Sequence, residues 1–225
     1  MTFTMKVTTR TTITGLAILS LTTALVGQTP PPPTPPQNPP AGAQPPQPGR
    51  GGRGGGGAAI QVMSLSTPAW PDGGRIPVKH AQGGGELSPP LSWANVPEGV
   101  GSFVLIVRDL DALRTQGGVT SELLHWMVWN IPGTARGLPG GIPPGSDLPD
   151  GSRQISATGP SYRGPAAPAS GPDHHYAFEL YAVNGPVEVP AVGASPAETR
   201  AAVFAAMAGR VRGKATLIGL FKRGT

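Results

Sequence analysis

Two apolar runs without polar alternation constrain the fold of this chain more than any other feature. Residues 103–107 read Phe-Val-Leu-Ile-Val, and residues 123–131 read Leu-Leu-His-Trp-Met-Val-Trp-Asn-Ile. Apolar runs without polar alternation are typical of strands that are covered on both faces. We therefore predict two buried strands, at 102–107 and 123–131, in a sheet with material packed on each side.

Short strands, long Gly/Pro loops and one late helix are predicted around these runs. The further strands are predicted at 60–65, 76–79, 176–183 and 215–221, with a short strand within 184–194. Ser195-Pro196-Ala197-Glu198 is a capping box with Pro at the first helical position, which predicts a helix from there to about Arg210. This pattern indicates a mainly β fold of the sandwich type.

The first 57 residues have the composition of targeting and linker segments. Lys6 and Arg10 precede a short apolar stretch, which is typical of a secretory signal peptide over 1–28. An uncleaved anchor is the alternative, and it would be the chain's only membrane contact. Residues 29–57 are rich first in Pro and then in Gly, which predicts a disordered linker. We therefore expect a single domain at 58–225 in a periplasmic or secreted protein.

Composition excludes several classes of function. The chain has no Cys, which excludes disulfides, thiolate chemistry and lipid attachment to a cysteine. The formal net charge is +5, but four of the 17 basic residues precede residue 58, whereas all 12 acidic residues follow it. A domain with so little excess charge lacks the basic surface that nucleic acids require, so we predict no nucleic-acid partner.

Five ionisable side chains lie near the ends of the predicted strands or inside an apolar one: Asp109, Asp111, His125, His174 and His175. Asp109 follows a buried strand, where an unpaired carboxylate is costly. His125 interrupts the second apolar run, and period-two counting places it on the same strand face as Met127 and Trp129. If the strand ends converge, one Asp and two His face a common pocket.

Three chemistries are compatible with that pocket. Imidazoles that a carboxylate orients can bind a phosphate or another anion near neutral pH. Asp and His side chains also bind divalent metals, but clustered metal-ligand spacing is absent from the sequence. A Ser-His-Asp hydrolase would need a Gly-x-Ser-x-Gly turn, which is also absent. The alternative without a ligand is that His125 is a hydrogen-bonded core residue and Asp109 caps a strand.

Four groups of motifs occur in order along the chain. They are Ser-Pro-Pro-Leu-Ser-Trp at 88–93, Asp-Leu-Asp-Ala-Leu at 109–113, His-Trp with Asn-Ile-Pro at 125–132, and Tyr-Arg-Gly-Pro with His-His-Tyr at 162–176. This series resembles the phosphatidylethanolamine-binding protein family, in its bacterial Raf kinase inhibitor-like branch of the YbhB/YbcL type. The resemblance covers nearly all of 60–223, and it implies an antiparallel β-sandwich of the Greek-key type with a C-terminal helix.

The resemblance also implies a small anion-binding pocket in a protein that is not an enzyme and needs no cofactor or metal. The ligand-binding residues carried over by position are Asp109, His125, Gly164, Pro165, His174 and Tyr176. Asp111 is expected to contact these residues and not the ligand itself. The implied partner is a small anionic or phosphorylated ligand. The alternative is a protein that inhibits or modulates a kinase or a protease through surface loops such as 133–152.

This sequence departs from the family pattern at several positions around the implied pocket. Leu110 and Leu113 stand in place of prolines, which we expect to loosen the loop that presents Asp109. Arg163 replaces a small residue, and His175 stands where the family often has Arg. We expect both of these side chains to point to solvent; the alternative for Arg163 is that it reaches an anion in the pocket. The departures bear on the identity of the ligand more than on the fold.

Overall fold

The residues that the structure describes form ten strands and one α-helix. The computed structural model describes residues 59–116 and 119–224, so the predicted signal peptide and linker lie outside the described residues. The elements are β1 (Gln61–Val62), β2 (Ser64–Ser66), β3 (Gly74–Arg75), β4 (Leu91–Ala94), β5 (Ser102–Gln116), β6 (Val119–Pro132), β7 (Gly137–Leu138), β8 (Arg153–Ile155), β9 (His174–Val183), α1 (Pro196–Met207) and β10 (Val211–Phe221). Within the described residues, no helix is long and apolar enough to cross a membrane.

A seven-stranded sheet carries the long strands. Its order is β1-β10-β9-β5-β6-β8, and β3 pairs with β10 as well. All pairings from β10 to β8 are antiparallel, whereas β1 and β3 add short parallel pairings to β10. A second, three-stranded sheet has the order β2-β4-β7. The long central strands are therefore antiparallel, as expected for a sandwich.

Both faces of β5 are covered, as its apolar run predicts. Phe103, Leu105 and Val107 pack in one core cluster with residues of the small sheet, including the inward-facing Trp93. The alternate residues of the strand pack in a second cluster with α1. The small sheet thus covers one face of the large sheet, and the helix covers the other.

Ion pairs attach α1 to the second face. Glu179 of β9 is 5% exposed and accepts hydrogen bonds from Arg108, and from Lys214 at 2.7 Å. Arg108 also donates to Glu122 at 3.0 Å, and Arg200 of the helix donates to the same carboxylate at 3.3 Å. Burial raises the pKa of Glu179, but its ion pairs with Lys214 and Arg108 outweigh this and hold the pKa below its usual range.

Two of the predicted N-terminal strands are wrong in detail. The strand predicted at 60–65 is divided at Met63, because the chain leaves the large sheet after β1 and enters the small sheet with β2. No strand forms at 76–79: β3 ends just before it, at Arg75, and a 3₁₀ turn forms at Val78–His80. Pro77 separates the two, since its ring fixes φ and removes a ladder donor.

The long central strands extend beyond their apolar runs, and the C-terminal boundaries also shift. Beyond the apolar runs, β5 and β6 continue to pair with each other as a two-stranded ribbon. Most residues of this ribbon are polar, so their types did not predict that the buried strands extend so far. The strand predicted within 184–194 is absent there. The helix ends at Met207 and not near Arg210, because β10 begins at Val211.

Candidate ligand-binding site

A β-bulge in β6 determines where His125 points. Val107 of β5 pairs with Trp126, whereas the next residue, Arg108, pairs with Leu124. His125 is therefore an extra residue that has no partner in the β5 ladder. A bulge of this kind commonly redirects a side chain beside a functional site.

The bulge moves His125 to the face that the small sheet covers. Its ring meets the ring of Tyr176 edge-on, with 5.0 Å between the centroids, and Tyr176 belongs to the core cluster of that face. Met127 and Trp129 belong to the opposite cluster. The predicted shared face of His125 with these two residues is wrong, because the extra residue shifts the period-two alternation.

A larger irregularity in β5 presents Asp109. The register shifts between Asp109 and Leu113, so residues 110–112 are looped out of the ladder. Oδ1 of Asp109 accepts the backbone N–H of Asp111 at 3.0 Å and that of Ala112 at 3.1 Å. The carboxylate itself closes this loop as an Asx turn, without the prolines of the family pattern.

Asp109 also orients His174, the first residue of β9. Nδ1 of His174 lies 2.9 Å from Oδ2 and 3.1 Å from Oδ1 of the carboxylate, which is buried. Because a carboxylate only accepts, Nδ1 carries the hydrogen, and Nε2 is left for other contacts. The His174 ring stacks on that of Tyr176, at 6.5 Å between the centroids. The two predicted imidazoles therefore flank one tyrosine.

His125 and Arg163 hold each other through the backbone. Nδ1 of His125 lies 2.9 Å from the carbonyl oxygen of Arg163, and the Arg163 N–H donates to the His125 carbonyl at 3.0 Å. Nε2 of His125 is buried and has no hydrogen-bond partner among the described residues. Burial lowers the pKa of His125 and, although the Arg163 carbonyl and Asp109 act in the opposite direction, the net shift is downward. The ring is thus neutral at neutral pH.

Tyr176 forms the wall between the two imidazoles. It is fully buried, and its hydroxyl oxygen accepts the N–H of Ala166 at 3.2 Å. Burial raises the pKa of Tyr176 well above its usual range, despite that N–H, and the charge of Asp109 raises it further. The hydroxyl therefore keeps its proton and can donate it in a hydrogen bond.

Gly164 and Pro165 line the loop beside the imidazoles, but their polar groups are already engaged. The Gly164 N–H donates to Glu86 at 3.1 Å, and the Pro165 carbonyl accepts the N–H of Gln82 at 3.0 Å. A Cβ on Gly164 would lie 2.6 Å from the carbonyl oxygen of His80. The close approach that requires glycine here is thus to a neighbouring loop.

Asp111 supports the site through its backbone and faces outward with its side chain. Its carboxylate accepts the backbone N–H of His175 at 2.6 Å and contacts the ring Nδ1 at 3.0 Å. The side chain of His175 is exposed, as expected. The Asp111–His175 pair fastens the looped-out segment to the start of β9. Among the described residues, no group of three or more His, Asp or Glu side chains is placed to hold a metal ion.

Arg163 is the residue that the sequence interpretation undervalued. We expected its side chain to point to solvent; the residue is half-buried, and its Nε is buried and lacks a hydrogen-bond partner among the described residues. Its charge also contributes, after burial, to the lowered pKa of His125. The available signal was an arginine in an otherwise small and apolar Gly/Pro loop.

Known proteins resemble this chain over the whole domain. A family model described as phosphatidylethanolamine-binding protein matches residues 66–222. A UPF0098 protein of Methanothermobacter thermautotrophicus is 39% identical over 164 residues, which are 72% of this chain and 100% of that protein. A Mycobacterium tuberculosis protein named as lipoprotein LppC is 33% identical over 167 residues, which are 73% of this chain and 74% of that protein.

Solved structures give the same assignment. The crystal structure of Escherichia coli YbcL, titled a member of the mammalian PEBP family, superimposes with a TM-score of 0.59 at 26% identity, and covers 72% of this chain and 98% of that one. A phosphatidylethanolamine-binding protein homologue of Chlamydia trachomatis gives the same TM-score and identity, with coverage of 72% and 99%. With its fold, motif order and relatives in agreement, the chain belongs to the phosphatidylethanolamine-binding protein family.

Proposed function

We propose that the domain is a binding protein whose site takes a phosphate-type or other anionic headgroup. The observation that carries the proposal is a pair of unpartnered buried nitrogens, Nε2 of His125 and Nε of Arg163. They belong to residues that two reciprocal hydrogen bonds join. A buried polar atom left without a partner costs about 1–3 kcal/mol, and a bound ligand would remove that cost.

The charges of the site favour an anion. Arg163 contributes a guanidinium, whose planar donors suit phosphate and carboxylate oxygens. Tyr176 contributes a hydroxyl, and His174 contributes a ring nitrogen that its contact with Asp109 leaves available. A binding role is favoured over catalysis because Asp109 and Tyr176 are held by hydrogen bonds to the protein itself. The family description names binding proteins as well.

A titration of the full-length chain tests the proposal. Inorganic phosphate, phosphoethanolamine and acetate are added in turn, and the histidine ring signals are followed by NMR. We expect shifts at His125 and His174 with a phosphate compound. His174→Ala should lose them, whereas His175→Ala, which changes the exposed neighbour, should keep them. If none of the three compounds shifts the ring signals, the proposed function is rejected.

Export of the protein is proposed on separate grounds. The basic and apolar N-terminal residues resemble a secretory signal, and a relative from Mycobacterium tuberculosis is named as a lipoprotein. This chain has no Cys, so a lipid on cysteine is not available to anchor it. Fractionation of the producing cells tests the proposal: recovery of the mature protein from the cytoplasm alone would contradict export.

A further inference from the structure

We infer that the ligand carries a proton donor at the atom that meets His125, so that the site prefers a protonated phosphate monoester to a fully deprotonated anion. This inference rests on the proposed function and narrows the class of anion. It follows from the hydrogen-bonding character of one buried nitrogen, Nε2 of His125.

The backbone determines the tautomer of His125. Its Nδ1 lies 2.9 Å from the carbonyl oxygen of Arg163, and a carbonyl oxygen can only accept a hydrogen bond. The hydrogen must therefore reside on Nδ1, because the opposite tautomer would place two lone pairs against each other. In a neutral imidazole with Nδ1 protonated, Nε2 is an acceptor and not a donor.

The surroundings of His125 favour the neutral ring. The charged or titratable groups near it are Asp109 on β5, His174 and Tyr176 on β9, and Arg163 on the loop before β9. The ring is 1% exposed, and its pKa is lowered mainly by burial, with the charge of Arg163 adding to the effect. The hydrogen bond to the Arg163 carbonyl and the charge of Asp109 act in the opposite direction but do not outweigh burial, and Asp109 is already paired with His174. Nε2 therefore offers a lone pair to the ligand.

A phosphate monoester monoanion matches this arrangement of donors and acceptor. Its second pKa is about 6, so near neutral pH part of the population has one P–O–H group. That hydroxyl can donate to Nε2 of His125 while the charged oxygens accept from Arg163 and from the Tyr176 hydroxyl. A sulfate ester has the same charge and shape but no proton, so one of its oxygens would oppose the lone pair of Nε2.

The test compares two probes of similar size and shape, of which only one can carry a proton. The full-length chain is titrated with methyl phosphate and with methyl sulfate, by isothermal calorimetry, at pH 6.5, where the His125 ring is mainly neutral because its pKa is lowered from 6.5 and part of the methyl phosphate keeps its proton. We expect the methyl phosphate monoanion to bind at least about tenfold more tightly than methyl sulfate, since methyl sulfate leaves the buried acceptor Nε2 without a donor. Equal binding would overturn the inference and leave the proposed function standing. If neither probe binds, the proposed function fails, and the inference fails with it.

A proton count provides a second measurement that needs no variant. At pH 7.5 most of the methyl phosphate is dianionic, so binding of the protonated form should take up close to one proton. The dependence of the binding enthalpy on the ionisation enthalpy of the buffer gives this number. Binding without proton uptake would contradict the inference.

A matched pair of variants then assigns the effect to one ring. In His125→Gln the amide can present a donor or an acceptor near the Nε2 position, so the preference for methyl phosphate over methyl sulfate should shrink several-fold. His175→Gln makes the same change at the exposed neighbour and should keep the full preference. Thermal unfolding of both variants verifies that they are folded. An unchanged preference in folded His125→Gln would show that another group selects the ligand, which overturns the assignment.

Discussion

Replacement of Asp109 by Asn should invert the tautomer of His174. In the wild-type protein Nδ1 of His174 donates to the Asp109 carboxylate at 2.9 Å. In Asp109→Asn the amide oxygen can keep the two backbone N–H groups that Oδ1 now accepts, which turns the amide NH₂ toward the ring. Because an NH₂ group only donates, Nδ1 must become the acceptor, and the ring hydrogen moves to Nε2.

The expected loss of stability is small. A hydrogen bond to a charged group contributes about 1.5–3 kcal/mol and a neutral one about 0.5–1.5 kcal/mol, so the exchange alone costs about 1–1.5 kcal/mol. Asp109 is 3% exposed, and the variant no longer buries a charge, which offsets part of that cost. We therefore expect the free energy of unfolding to fall by about 1 kcal/mol.

Nitrogen-15 NMR of the histidine rings reports the tautomer, and urea unfolding of the full-length chain gives the stability. Asp111→Asn is the control, because that exposed carboxylate contacts His175 and not His174. Its His174 ring should retain the hydrogen on Nδ1. The reasoning is refuted if Asp109→Asn leaves the hydrogen on Nδ1, or if the loss exceeds about 4 kcal/mol, a size that indicates a larger disruption.

Three further substitutions test other parts of the structure. Gly164→Ala places a Cβ 2.6 Å from a backbone oxygen, so the free energy of unfolding, measured by urea titration, should fall by about 1–3 kcal/mol. The control is Gly171→Ala, whose Cβ would have its nearest neighbour at 3.9 Å, and it should leave that free energy nearly unchanged. Arg163→Gln removes a charged donor to the anion, so calorimetry should show methyl phosphate binding weakened about tenfold or more. Its thermal unfolding should change little. An unchanged affinity would show that Arg163 does not contact the ligand. Glu179→Gln should cost about 2 kcal/mol at pH 7. The pKa of Glu179 is lowered in the folded state from 4.5, so its stabilisation is present above that value and is lost as the pH falls through the folded pKa. Urea titrations should thus show the deficit shrinking on acidification, and a deficit that is constant with pH would contradict the ion-pair account.

The predictable parts of the fold are those whose buried strands can be recognised from their apolar residues. The run at 103–107 is apolar at every position, and both faces of β5 are indeed covered. The run at 123–131, which is apolar except for His125 and Asn130, concealed the bulge at His125. Where nearly every residue of a strand is apolar, the period-two alternation cannot be read from the sequence, and one extra residue leaves no trace in the pattern.

The candidate site likewise combines residues that the sequence predicts with contacts that no sequence pattern indicates. The resemblance of the motifs to the family predicted Asp109, His125, His174 and Tyr176 as one site, but which imidazole Asp109 contacts, His174, is known only from the structure. The burial of the Arg163 Nε depends on how a Gly/Pro loop lies against β6, and a loop has no periodicity from which that could be inferred. The engagement of the Gly164 N–H by Glu86 likewise depends on a contact between distant segments.

The position of β10 has a consequence for the order in which the domain can fold. β10 is the last strand of the chain, yet it lies inside the sheet, with β9 on one side and both β1 and β3 on the other. The early strands β1 and β3 therefore have no partner in this sheet until β10 has been synthesised. If the chain is exported as proposed, this edge of the sheet is completed only after residue 221 has crossed the membrane.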